Sequence, residues 1–393
     1  MTIGGGTAVS SALVASSVFA FEPVVFDGAE LALQREVRDF LAAELPPGSF
    51  EPGLGMGGGR DRAFSRRLAE RGWVGMALPK EYGGGARPAV HRFIVVEELL
   101  RWGAPVGHHW AGDRQTGPLI AAVGSPAQKE RFLPAICRAE VSFSIGMSEP
   151  GSGSDLASLR TRARPTDGGW LITGRKVWTS GAHVNDWMLT LCRTSDEADR
   201  HAGLSQLLVD LRAPGVTVDP IPFLNGTAHF NEVTLNDVFV PDELVVGEIG
   251  RGWAQNTAEL VYERGGPDRW LSPFVLLEYY LREHRPDPPA LAVVGELTAR
   301  WWTIRQLSLG VARAIDAGAS PAVQAALVKE MGTRFEREVV DAISDLVVEQ
   351  PVLEADSTFQ RVLANAVLTS PSFTIRGGTT EVLRTVVARG LAS

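Results

Sequence analysis

The chain has 393 residues, 45% hydrophobic and 21% charged, with 38 basic against 46 acidic side chains and a formal net charge of −8. This length allows two or three domains, and the apolar content excludes a disordered or collagen-like chain. With no Lys/Arg run longer than the pairs Arg66-Arg67 and Arg175-Lys176, a surface built to wrap a polyanion has no support, so nucleic acid is not an expected partner. Cys137 and Cys192 lack CxxC spacing, which suits a reducing, cytoplasmic setting and offers neither a disulfide framework nor a zinc site. No metal is expected.

Val9 to Phe21 is apolar but lacks a basic n-region and is too short to cross ~30 Å of hydrocarbon. Residues 1–28 therefore read as a flexible leader, with no membrane span. From 29 to 142 the pattern is helical: Leu31, Leu33, Val37, Phe40 and Leu41 recur at helical spacing before Pro46-Pro47, and Phe64–Leu68 and Phe93–Leu100 repeat the theme. Gly53 to Gly58 matches GxGxxG in form. It follows prolines rather than a strand, so it reads as a flexible loop and not as a dinucleotide-binding turn.

Between 143 and 250 the period changes to two. Trp170–Thr173, Gly174 and Lys176–Trp178 predict strand, turn, strand, and His229–Leu235 alternates in the same way. From 251 to 393 the helical period returns, over Leu291–Ile315, Ala322–Val347 and Phe359–Leu368. Separate helical, sheet and helical blocks define an α+β chain and exclude the alternating βα order of a doubly wound fold.

Two segments carry chemistry. Met147-Ser148-Glu149-Pro150-Gly151-Ser152-Gly153-Ser154-Asp155 offers backbone N–H groups and short hydroxyls that can close around phosphate or carbonyl oxygens; a plain surface turn has the same composition. Lys176-Val177-Trp178-Thr179-Ser180-Gly181 places a flat aromatic face beside two hydroxyls at a strand end, which fits a planar heterocycle. His108, His109 and His183 show no metal-ligand spacing and read as packing or loop histidines.

Taken in order with Gly72–Gly84 and Arg376-Gly377-Gly378-Thr379-Thr380-Glu381-Val382-Leu383-Arg384, these segments resemble the acyl-CoA dehydrogenase family over nearly the whole chain. The resemblance implies an N-terminal α-helical domain, a middle β-barrel or sandwich domain and a C-terminal four-helix bundle. It also implies FAD as cofactor. Met147 and Ser148 match residues that meet the pyrimidine edge of the flavin. Gly153 and Ser154 match the turn near the pyrophosphate and the substrate's pantetheine. Trp178 matches the tryptophan that shields the ring, Thr179 and Ser180 the residues bonding near N5, and Thr379 and Glu381 further flavin contacts. Arg264 and Gly377 fall at substrate-facing positions, with the Gly377 N–H or a neighbour expected to hold the thioester carbonyl.

The chain departs from the family at the base. The family's usual glutamate before the Gly-Thr of the C-terminal motif is here Gly377. A minority of the family carries the base before an arginine on the first helix of the C-terminal domain, where Glu263-Arg264 stands. Glu259 lies four residues earlier, a like-charge spacing unsuited to a solvated face, and Gly265-Gly266-Pro267 ends the helix. The implied reaction is α,β-dehydrogenation of an acyl-CoA or acyl-carrier-protein thioester: Glu263 takes the α-proton, the β-hydride passes to flavin N5, and an electron-transfer flavoprotein is the acceptor. Two alternatives on the same fold are a reduced-flavin monooxygenase and a supporting subunit of a heteromer.

A second departure concerns assembly. Homotetrameric relatives hold the ADP portion of FAD with the neighbouring subunit's Arg-x-x-Phe-Gly and Gln-x-x-Gly-Gly segments. Here those places read Leu281–Pro289 and Leu346–Leu353, and neither motif survives. The chain is therefore expected either to form a homo-oligomer with a rebuilt pocket or to pair with a second acyl-CoA-dehydrogenase-like subunit.

Overall fold

The structure, a computed structural model, describes residues 24–392, apart from the side chains of residues 258–263. Most of the expected leader thus lies outside the described residues, but its end does not. The Val24 N–H donates to Gln306 Oε1 at 3.1 Å, and the Arg305 guanidinium lies 4.9 Å from the Phe26 ring. Asp27 closes a capping box with Glu30, so the helix Gly28–Glu44 starts where its unpaired N–H groups find acceptors.

Among the described residues five α-helices precede the sheet: α1 (Gly28–Glu44), α2 (Arg62–Glu70), α3 (Ala89–Trp102), α4 (Gly117–Val123) and α5 (Pro126–Cys137). Asp61 caps α2, and Ser125 with Gln128 forms a second capping box at α5. The segment Gly112–Thr116 is a π-turn running into α4.

Eight strands follow: β1 (Phe143–Gly146), β2 (Arg162–Thr166), β3 (Gly169–Ser180), β4 (Trp187–Arg193), β5 (Leu204–Asp210), β6 (Val216–Pro222), β7 (Ala228–Pro241) and β8 (Val245–Val246). Their order is β6-β7-β3-β2-β4-β5-β8, with β1 parallel to β4. The expected turn at Gly174 is instead a bulge inside β3, where the register to β7 slips. A side chain there would meet Thr161 Oγ1 at 2.4 Å, so glycine marks a close approach between segments.

The C-terminal region holds α6 (Gly252–Arg264), α7 (Phe274–Glu283), α8 (Pro288–Asp316), α9 (Ala322–Leu346), α10 (Thr358–Thr369) and α11 (Thr380–Ala392). The cores divide differently from the sequence blocks. Residues of α1 to α3, including Phe64, Val95 and Leu99, share one core with Trp270, Trp301, Phe335 and Phe359 of the C-terminal region. Phe132, Leu133 and Ile136 of α5 belong to the core under the sheet. Ion pairs fasten the shared helical core: Arg305 to the buried Glu97, and Arg313 to the buried Glu30 at 2.7 Å.

The GxGxxG segment is packed rather than flexible. The Gly53 N–H donates to the Gly103 carbonyl at 2.9 Å, and a Cβ on Gly55 would stand 2.4 Å from Ser272 Oγ.

Candidate active site

The two motif segments lie side by side. The Val177 N–H donates to the Ser148 carbonyl at 2.9 Å, and Lys176 Nζ donates to the Met147 carbonyl at 3.0 Å. Between them Glu149 is buried and accepts from Lys176 Nζ at 2.9 Å and from the N–H groups of Arg160 (2.6 Å) and Thr161 (2.8 Å). Burial pushes the Glu149 carboxyl up, but the Lys176 ammonium and these N–H donors outweigh it and hold the group below the usual carboxylate range. Burial pulls the Lys176 ammonium below its ordinary value, against the opposing charge of Glu149. Glu149 and Ser152 exchange backbone hydrogen bonds that close the turn. Beyond it Gly151 and Gly153 have open space where side chains would be, and Ser154 is exposed.

At the end of β3 the register to β7 slips again between Lys176 and Thr179. Trp178 sits in this bulge at φ +60, with 56% of its surface exposed and its ring edge-on to Phe230 at 5.9 Å. Left-handed backbone is costly for a bulky residue, and such strain concentrates at ligand sites. The bulge also sets which hydroxyl is available. The Thr179 side chain is fully buried and its carbonyl accepts from Asn231 Nδ2 at 2.8 Å, whereas Ser180 is only half-buried. Of the two expected hydroxyl contacts, Thr179 can therefore offer only backbone. An exposed aromatic face, an accessible hydroxyl and a glycine turn open to close backbone approach fit the ring and phosphate portions of FAD.

The C-terminal half of the site is built on the helices. Gly377 and Gly378 take φ +66 and +103, a left-handed pair that glycine adopts freely. The buried Lys329 of α9 donates to the Gly378 carbonyl at 2.8 Å. Arg376 donates to Glu336 and to Ser272, each at 2.8 Å. Thr379 caps α11 through the Val382 N–H at 3.4 Å, and the exposed Glu381 carboxyl is held below its usual range by its own N–H and by the Thr379 hydroxyl. Arg264, at the end of α6, comes up against this loop: a Cβ on Gly378 would lie 3.4 Å from its guanidinium. Glu263 stands in the last turn of α6, and its side chain lies outside the described residues. Beyond α6, Asp268 is anchored by a buried ion pair to Arg114 of the π-turn at 2.8 Å.

The segments Leu281–Pro289 and Leu346–Leu353 meet one another. The link from α7 to α8 is short; in it His284 stacks on Tyr280 and bonds Glu349 at 3.2 Å. After α9, Pro351, Val352 and Leu353 face Val367 and Leu368 of α10 across an open groove of about 340 Å³. Its lining is apolar apart from Glu354.

The Glu149–Lys176 pair and the supports Asn231, Lys329 and Glu336 are residues that sequence reasoning missed. For the pair, the available signal was a lysine in strand alternation and a glutamate inside a turn motif. His108 and His109 pack, bonding the Ala139 carbonyl and Ser65 Oγ. His183 instead bonds Asn231 Oδ1 at 2.8 Å, one residue removed from the Thr179 backbone.

Comparison with known proteins accords with this architecture. The acyl-CoA dehydrogenase N-terminal, middle and C-terminal domains match residues 28–140, 144–238 and 291–392. Acyl-CoA dehydrogenase IpdE1 of Mycobacterium tuberculosis is 36% identical over 373 residues, 90% of this chain and 94% of its own. The Tcur3481-Tcur3483 steroid ACAD has a TM-score of 0.83 at 28% identity, covering 94% of this chain and 98% of that one. The ChsE4-ChsE5 complex from M. tuberculosis gives 0.82 at 26% identity over 95% and 99%. A helical, sheet and helical fold with a strand-borne tryptophan platform defines a flavin-dependent oxidoreductase, and the chain belongs to the acyl-CoA dehydrogenase family, whose cofactor is FAD.

Proposed function

We propose that the protein removes the α- and β-hydrogens of an acyl-CoA thioester, with Glu263 as the base, to give the trans-2-enoyl product. The observation that carries this reading is the hydrogen bond from Val177 to Ser148, which joins the two motif segments into one continuous surface ending at Trp178 and Ser180. Bound FAD would supply the hydride acceptor. Met147, Ser148, Trp178 and Ser180 would hold its ring, Gly153 and Ser154 would border the pyrophosphate and pantetheine, and Thr379 and Glu381 would make further contacts. A thioester α-proton is too weakly acidic for a free carboxylate, so its carbonyl oxygen needs fixed donors. The left-handed glycine turn at Gly377 and Gly378, braced by Lys329, supports that role, and Arg264 brings the end of α6 to the same loop.

The departures at Leu281–Pro289 and Leu346–Leu353 support assembly with a second acyl-CoA-dehydrogenase-like subunit. A symmetric assembly would repeat the same apolar groove at every site. The two structural relatives above are each named for a pair of chains, and the word steroid in one name makes a polycyclic acyl group the first to try. An electron-transfer flavoprotein remains the proposed acceptor.

Anaerobic titration of the FAD-loaded protein with straight, branched and polycyclic acyl-CoA and acyl-carrier-protein thioesters tests the reaction. Loss of the visible flavin band with at least one thioester is expected. A protein that holds FAD yet is bleached by none would overturn the dehydrogenase reading.

A further inference from the structure

Ser180 is held from behind by a line of hydrogen bonds that begins in the N-terminal helical region. Arg60, in the loop before α2, is exposed, and its guanidinium serves two partners. Nη1 donates to Asn185 Oδ1, and Nη2 donates to Ser142 Oγ at 3.1 Å. Asn185 is buried and uses its Nδ2 group twice, toward the Phe143 carbonyl at 2.7 Å and Ser144 Oγ at 2.9 Å. Ser144, also buried, passes its own hydroxyl hydrogen to the Ser180 carbonyl at 2.8 Å. Ser142 gives its hydroxyl hydrogen to Asp186 at 2.8 Å, which leaves its oxygen to accept from Arg60.

Each hydroxyl and amide hydrogen in this line has one acceptor, so the bonds run in one direction. Flipping the Asn185 amide would set donor against donor at Arg60 and strand Ser144. The line also bears on the turn after Ser180, since a Cβ on Gly181 would come within 2.9 Å of Asn185 Nδ2. Reaching acceptors on two segments at once suits the planar fork of arginine and not the point charge of lysine.

We propose that Arg60 is a positioning residue for the cofactor: acting through Asn185 and Ser144, it fixes the Ser180–Gly181 peptide and so aims Ser180 at the flavin. This rests on the reading above that Ser180 meets the ring. It assigns to Arg60, in the N-terminal region, an influence on how FAD is held, relayed through Asn185 and Ser144.

The test is a double-mutant cycle read by FAD binding to the full-length chain in its flavin-competent assembly, co-expressed with a complementary subunit where the lone chain is flavin-poor, followed by fluorescence quenching and the shape of the visible band. Arg60→Met and Asn185→Asp should each weaken FAD binding about tenfold, the scale of one lost hydrogen bond, and alter the band. The aspartate keeps an acceptor for Arg60 but loses both donors. Arg60→Lys should fall between wild type and Arg60→Met, and provides a milder variant should the methionine impair folding. Arg60→Met combined with Ser180→Ala should bind FAD no worse than the weaker single variant, because both act at one point. Unchanged FAD binding in Arg60→Met, or a full additional tenfold loss on top of Ser180→Ala, would overturn the relay alone. Wild-type affinity and band in Ser180→Ala would remove the flavin contact itself, and the relay with it.

Discussion

The sheet side and the helical side of the proposed site are held together in different ways. On the sheet, buried charge holds the segments around Ser148 and Trp178 together: Lys176 and Glu149 bind one another and three backbone groups besides. On the helices, Gly377 takes left-handed backbone, the link from α7 to α8 is closed by His284, and a mostly apolar groove follows α9. The lesson is one of division: on the proposed reading, this chain retains what grips the ring and leaves the ADP end to another chain.

The largest effect expected from that division is on cofactor content. Expressed alone, the chain should purify flavin-poor, and co-expression with a complementary acyl-CoA-dehydrogenase-like subunit should bring FAD to one per complete site. Absorbance of the protein-bound flavin measures this, and a fully flavinylated, active homo-oligomer would remove the partner while leaving the reaction standing.

Next in size is the cost of opening the sheet-side pair. Lys176→Met leaves a carboxylate buried without its cation and should lower unfolding stability by about 3–5 kcal/mol in a denaturant titration. Glu149→Leu combined with Lys176→Met should recover only part of that loss, because the Arg160 and Thr161 N–H groups would still lack their acceptor. Full recovery would show that Glu149 serves the lysine alone.

The helical packing should show its own pH signature through His109. Burial lowers the pKa of this histidine to about 4. A lowered pKa means that the unfolded chain binds the proton first, so the contribution is intact above about 6.5 and is lost as pH falls toward 4. Up to roughly 3 kcal/mol should disappear across that window. His109→Gln, which cannot titrate, should flatten the slope of stability against pH between those values; an unchanged slope would assign the effect to other groups.

The smallest stability change is expected at Trp178. Trp178→Gly relieves left-handed backbone while losing a largely exposed ring, so stability should stay within about 1 kcal/mol of wild type. FAD binding should nonetheless fall. A large loss of stability with FAD affinity retained would make the tryptophan a packing residue.

Much of this was legible in the sequence, for reasons that differ by element. Helices such as α1 and α9 announce themselves by apolar spacing, whereas the capping boxes at Asp27 and Ser125 emerge only in the structure. The segments of Ser148 and Trp178 stood out by a recognisable order of residue types, and their pairing through Val177 is visible only in the structure. Gly174 was misread because a glycine between alternating runs suits a turn as well as a bulge; Thr161, distant in sequence, decides between them. The burial of Thr179 follows from the second slip of register, which no local pattern encodes. Sharing of one core by α1 to α3 with the C-terminal helices, and the line from Arg60 to Ser180, depend on contacts across more than a hundred residues, which periodicity does not report.

The proposed base provides the most direct test. Glu263→Gln should keep the FAD spectrum and thermal midpoint of the wild type, yet slow flavin reduction by a bleaching acyl-CoA at least ~10²-fold in anaerobic single-turnover mixing, the lower end of a positioned base's contribution. Reduction at nearly the wild-type rate would contradict the assignment of Glu263 and return the proton-accepting role to the loop around Gly377.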